Sequence, residues 1–86
     1  MKKQEIQENV FSLLEKMGLK FGKDTSLLIR EDIKADSLDI LELVTCTEEN
    51  FDISIESSEI PNDFTVLFFC EIISEKLQDK LVTDYE

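Results

Sequence analysis

Apolar residues recur at three- and four-residue steps in three stretches of the chain, and each stretch predicts a helix. Over residues 3–17 the repeating positions are Ile6, Val10, Leu13, Leu14 and Met17, and Gly18 stands where a helix end calls for a left-handed residue. A second helix is expected from Asp36-Ser37 to about Asn50. Asp36 is a good N-cap, and Asp39, three residues on, favours the positive end of the helix dipole. At about 100° per residue, Ile40, Leu41, Leu43, Val44, Thr47 and Phe51 fall on one broad apolar side, and Asp39, Glu42, Cys46 and Glu49 on an acidic one. The last helix is expected to start between Asp63 and Thr65 and to run to about Leu81. Val66, Phe69, Cys70, Ile73 and Leu77 form its inward stripe, widened by Phe68 and Ile72.

The connections are unequal. Residues 18–35 form a long one, yet it carries Leu19, Phe21, Leu27, Leu28, Ile29 and Ile33, so it should lie against the core. Phe51 to Ile55 alternates like a strand without an obvious partner and is expected to be an extended connection, anchored by Phe51 and Ile55. Ser57 or Ser58 can cap a short helical turn, which Pro61 limits because the residue before a proline avoids the helical region. Val82 to Glu86 reads as a frayed tail. The pattern predicts an all-α fold: a small four-helix bundle of three long helices and one short one, with a long first loop.

Eighty-six residues allow a single domain, 1–86, with its core over about 3–78. A catalytic cleft with its own scaffold is not expected at this size. The chain has no histidine, which removes the commonest general base and metal ligand. Cys46 and Cys70 are too few and too far apart for a zinc site, and Asp52 to Glu56 lacks the glycine and frame of a calcium loop; no metal site is expected. Both cysteines read as packed residues, Cys70 on the inner stripe. The lysines near Met1 are not followed by the apolar stretch of a signal peptide, and no run is long enough to span a membrane. The expectation is a cytoplasmic monomer without membrane insertion.

Formal charge is −11, and it is concentrated. Residues 31–63 hold eleven Asp/Glu and one Lys/Arg, whereas residues 1–30 hold four and six. Nucleic acid is an unsuitable partner for such a surface. Clustering costs self-repulsion that solubility alone does not require, and a docking surface for a basic partner is one reason to tolerate it.

Within that acidic third, Ser37 stands at a helix start beside Asp36 and Asp39. Taken alone this is a helix cap. As a self-activated nucleophile Ser37 is poor, having no histidine partner. If it is functional, another protein must do chemistry on it.

The run Asp36-Ser37-Leu38-Asp39, continued by Ile40-Leu41-Glu42-Leu43-Val44 and by Glu48-Glu49-Asn50-Phe51-Asp52-Ile53-Ser54-Ile55, resembles the acyl carrier protein family. The resemblance implies that Ser37 receives 4′-phosphopantetheine from coenzyme A through a separate phosphopantetheinyl transferase. It implies that the arm carries acyl groups as thioesters, in fatty-acid or polyketide and other secondary-metabolite synthesis, with no catalysis by the chain itself. Acyl-transferring, condensing or acyl-activating enzymes would dock through basic patches on Asp36, Leu38, Asp39, Glu42, Glu48 and Glu49, with Asp52 and Glu56 at the margin. Two departures stand out. Lys34 occupies a position where the family often has glycine, and Thr47 one where it usually has a larger apolar residue; the latter reads either as a satisfied core threonine or as a sign of a smaller, more polar acyl cavity. An aminoacyl or peptidyl carrier shares the architecture, and an acidic interaction domain without a prosthetic group is the remaining alternative.

Overall fold

Local sequence sets the helix ends, and the apolar stripes between them set the packing. The computed structural model describes the backbone of residues 2–84 and the side chains of residues 2–79. Three α-helices and one 3₁₀ turn follow in order: α1 (Lys3–Lys16), α2 (Ser37–Phe51), the turn Ser57–Glu59 and α3 (Val66–Asp84). The short fourth helix is thus a single 3₁₀ turn. Ile60 behind it is extended, at φ −108° and ψ 115°, as a residue before proline should be. The last helix runs to Asp84, three residues past the expected end near Leu81; Tyr85 and Glu86 lie outside the described residues.

Each boundary has a local cause. Gly18 takes φ +84°, and its N–H bonds to the Glu15 carbonyl while that of Leu19 reaches Leu14, closing α1 with a left-handed residue. At the start of α2, the Asp36 carboxylate accepts the Asp39 N–H at 2.8 Å and the Asp39 carboxylate accepts the Asp36 N–H at 3.1 Å. This reciprocal box satisfies two backbone donors. Asp52, left-handed at φ 54°, ends the helix. Thr65 starts α3, its hydroxyl accepting the Phe68 N–H at 3.0 Å.

α1 is the common support, since both α2 and α3 pack against it. One apolar cluster joins Ile6, Val10 and Leu14 of α1, Leu43 and Phe51 of α2, and Val66, Phe69 and Ile73 of α3. Ile29, Ile33 and Ala35 of the long connection belong to the same cluster, and Phe21 stacks on Phe11 with ring centroids 5.6 Å apart. The connection is therefore a packed segment, as its apolar content requires. Phe51 and Ile55 are buried anchors, Cys46 packs against the cluster, and burial pushes the Cys70 thiol up to about 11, aided by the Glu71 charge.

Three positions differ from the pattern. Leu41 is 62% exposed and Phe68 39% exposed, although periodicity put both on core-facing sides. Each sits at the edge of its helix's apolar arc, where neighbouring segments cover it only in part. Thr47 is fully buried, and its hydroxyl has no hydrogen-bond partner among the described residues. The satisfied core threonine is therefore not what is found. By contrast Thr45 donates to the Leu41 carbonyl at 2.9 Å.

Two local penalties can be removed by substitution. A buried hydroxyl without a partner costs about 1–3 kcal/mol, so Thr47→Val should raise the unfolding free energy by about 1 kcal/mol. Lys34 holds φ +69°, the left-handed region that only glycine enters freely. Lys34→Gly should add about 0.5–1 kcal/mol after the entropy that glycine gives the unfolded chain. Urea unfolding checks both; unchanged or lower midpoints would contradict the assigned penalties.

Candidate functional site

The capping box fixes Ser37 as the first residue of α2, with its side chain exposed. An N-terminal helical position favours an attached phosphate through the dipole and the backbone donors. Here the end is already matched by two carboxylates, Asp36 and Asp39, each engaged with the other's backbone. A cation compensates. Arg30, half-buried, donates from Nη2 to the Ser37 hydroxyl oxygen at 3.3 Å and from Nε to the Asn62 carbonyl at 2.6 Å.

Arg30 is held there by a join between distant parts of the chain. The Asp63 carboxylate accepts the Arg30 N–H at 2.9 Å and the Glu31 N–H at 3.2 Å, and also its neighbour Phe64 N–H at 2.9 Å. Beside it the Ile29 N–H reaches the Phe64 carbonyl at 2.9 Å and the Val66 N–H reaches Leu27 at 3.2 Å. Partial burial works to raise the Asp63 pKa, but the three N–H donors and the Arg30 charge outweigh it and hold the carboxyl below its ordinary value.

A cleft of about 430 Å³ opens at Ser37. Its lining includes Ser37, Ile40, Leu41, Val44 and Glu48 along α2, and Ile55, Ile60 and Pro61 from the connection to α3. Eleven residues separate Ser37 from Glu48, about 16 Å of helix at 1.5 Å per residue. The volume lies in the range of small-molecule sites, about 300–1,000 Å³. The middle of the lining is apolar, and Arg30 and Asn62 stand with Ser37. Thr45 contributes to the lining and Thr47 does not, so the buried threonine carries no information about this cleft. Its far side is fastened by Glu59, which accepts from Lys76 through both oxygens, at 2.8 and 3.0 Å, and from the Glu56 N–H at 2.9 Å.

The residues expected to face partners fall into two groups. Leu38 is 75% exposed, and Glu42 and Glu49 are exposed with it on α2. Leu41 joins this surface, three residues from Leu38 and on the same face. Asp36 and Asp39 are committed to the helix start. Glu48 is half-buried, and its carboxylate accepts the Ile55 N–H at 2.9 Å, which ties the end of α2 to the cleft wall. Asp52 and Glu56 are exposed. Sequence reasoning did not find Arg30 or Asp63. Arg30 is the single arginine of the chain, seven residues before Ser37, and that singularity was the available signal. Among the described residues no three His, Cys, Asp or Glu are grouped to hold a metal ion, and no helix is long and apolar enough to cross a membrane.

An all-α domain with a packed first loop and an exposed serine opening its second helix beside an apolar cleft has the make-up of a small carrier domain. Known sequences agree. No family profile matches the chain. It is, however, 39% identical over 75 residues to the acyl carrier protein of Buchnera aphidicola subsp. Baizongia pistaciae, which covers 84% of this chain and 95% of that protein. It is 35% identical over 71 residues to the acyl carrier protein of Buchnera aphidicola subsp. Acyrthosiphon pisum, covering 83% and 86%. The acyl carrier protein of Akkermansia muciniphila is 43% identical over 56 residues, covering 63% and 70%. The chain belongs to the acyl carrier protein family, whose members are carriers, not enzymes, and typically bear phosphopantetheine.

The join at Asp63 predicts a pH signature. A carboxyl lowered in the fold stabilises fully above its ordinary value, 3.8, and that contribution is lost as pH falls through the lower folded value. The stability difference between the wild type and Asp63→Asn should therefore be constant from about pH 5 to 7 and shrink below 3.8. Urea unfolding across pH measures it; a difference that widens on acidification would contradict the assigned carboxylate.

Proposed function

We propose that the chain carries acyl groups on a 4′-phosphopantetheine arm attached to Ser37, in fatty-acid or polyketide-type synthesis in the cytoplasm. The observation that supports this most strongly is the exposed Ser37 hydroxyl at the first position of α2, at the mouth of an apolar cleft and within reach of a cation. The donor set suits the group: a serine oxygen for the ester, a guanidinium for the phosphate charge, and an apolar trough for a hydrocarbon chain. The arm's terminal thiol supplies the thioester linkage when the arm is present.

The chain's own residues orient and present. The capping box holds Ser37 outward. With no histidine in the chain and no base bonded to it among the described residues, Ser37 depends on a phosphopantetheinyl transferase for its modification by coenzyme A. Ile40, Val44, Ile55 and Ile60 offer the cleft surface that would keep water from a carried chain. Leu38 and Leu41, flanked by Glu42 and Glu49, offer partners an apolar contact inside an acidic field. Such a field steers a basic partner to the surface and then lets it go, as a shuttle between several enzymes requires.

Incubation with coenzyme A, magnesium and a broad-specificity phosphopantetheinyl transferase should add one phosphopantetheine to the wild type, read by intact mass, and none to Ser37→Ala. The charge-reversed Glu42→Lys/Glu49→Lys chain should be modified several-fold more slowly, with the deficit shrinking at high salt. A folded wild-type chain left unmodified by two unrelated transferases would overturn the attachment and favour an interaction domain without an arm.

A further inference from the structure

The guanidinium of Arg30 is more firmly placed than its visible task needs. An exposed, neutral hydroxyl can bond to water, and 3.3 Å is a long hydrogen bond. Yet the chain's only arginine is held over that oxygen from two sides, by its own N–H on Asp63 and by its Nε on the Asn62 carbonyl. The two carboxylates fixed beside Ser37 push the opposite way. Asp36 and Asp39 bring two negative charges to a helix end worth about half a positive charge. A phosphodiester formed on the Ser37 oxygen adds a third. Without a cation, that group would sit in a repulsive field on a chain of charge −11. A guanidinium already bonded to the esterified oxygen starts within reach of the phosphate it would bear, and its planar donors match phosphate oxygens.

We infer that Arg30 is a positioning residue for the arm: its guanidinium pairs with the phosphodiester on Ser37 and sets the direction in which the arm leaves, at the mouth of the cleft it also lines. This rests on Ser37 being the attachment serine. The Asn62 bond and the Asp63 bond then act as the frame that keeps the cation in place, so the segments before α2 and before α3 both bear on the arm although neither carries it.

The test compares unmodified and modified forms of the wild type, Arg30→Gln and Arg30→Lys, with conversion confirmed by intact mass. On modification, the Arg30 Nε–H resonance of the wild type should move, and the ³¹P resonance of the phosphodiester should differ between the wild type and Arg30→Gln. The melting temperature should hold or rise on modification of the wild type and fall by a few degrees for Arg30→Gln, with Arg30→Lys between them. Comparing each variant with its own unmodified form cancels the loss of the Asn62 bond. If Arg30→Gln does not fold, the wild-type resonances decide alone. Arg30 and ³¹P resonances insensitive to each other, with equal melting shifts in all variants, would overturn the role of Arg30 while leaving the attachment intact. A wild type that gains no mass would overturn the attachment, and this inference with it.

Discussion

The end of the molecule that presents Ser37 depends on one join, between residues 27–31 and residues 62–66. Asp63 accepts two N–H groups from across the chain, the Ile29 N–H meets the Phe64 carbonyl, and Arg30 closes on Asn62. Ile29 and Phe64 are both buried beneath this seam. A connection as long as residues 18–35 would otherwise hold its ends together only loosely. The seam gives the backbone groups of the loop partners, places Ala35 and Ile33 in the core, and delivers Asp36 to the spot where it caps α2.

From that spot the chemistry follows in sequence. Once Asp36 and Asp39 have exchanged backbone bonds, Ser37 has no choice but to point outward, and Leu38 beside it is exposed for the same reason. The inner face of α2 closes the core through Leu43 and Phe51, and its flank forms one wall of the cleft. One helix thus presents an exposed hydroxyl, a wall of the cleft and an acidic surface at once. The local carboxylates serve the helix start, and the join brings the Arg30 guanidinium to the Ser37 oxygen beside them. Strain is tolerated in the same place: Lys34 sits left-handed two residues before the cap.

Much of the fold was legible in the sequence because it is written in short range. Helical periodicity, Gly18, the Asp36 cap and the apolar content of residues 18–35 are all local, and the structure agrees with them. What was not legible involves partners distant along the chain. Asp63 reads as a residue near a helix start; its bonds to Arg30 and Glu31 span 33 and 32 residues. Leu41 and Phe68 match the apolar period, but whether an arc's edge is covered depends on where the neighbouring element stops. Glu48 looks like one more acid on an acidic helix until the backbone after α2 turns back and offers it the Ile55 N–H. Thr47 shows the converse, a polar residue whose apolar position was visible and whose missing partner was not.

The state of Ser37 in the protein's own cells tests the carrier role most directly. The measurement is intact mass and peptide mapping of the chain purified from its native source without added transferase or coenzyme A. A phosphopantetheine is expected on the peptide that contains Ser37, on a substantial share of the molecules, some with an acyl group on the thiol. A native population uniformly unmodified at Ser37, or carrying the arm at another residue, would contradict that role.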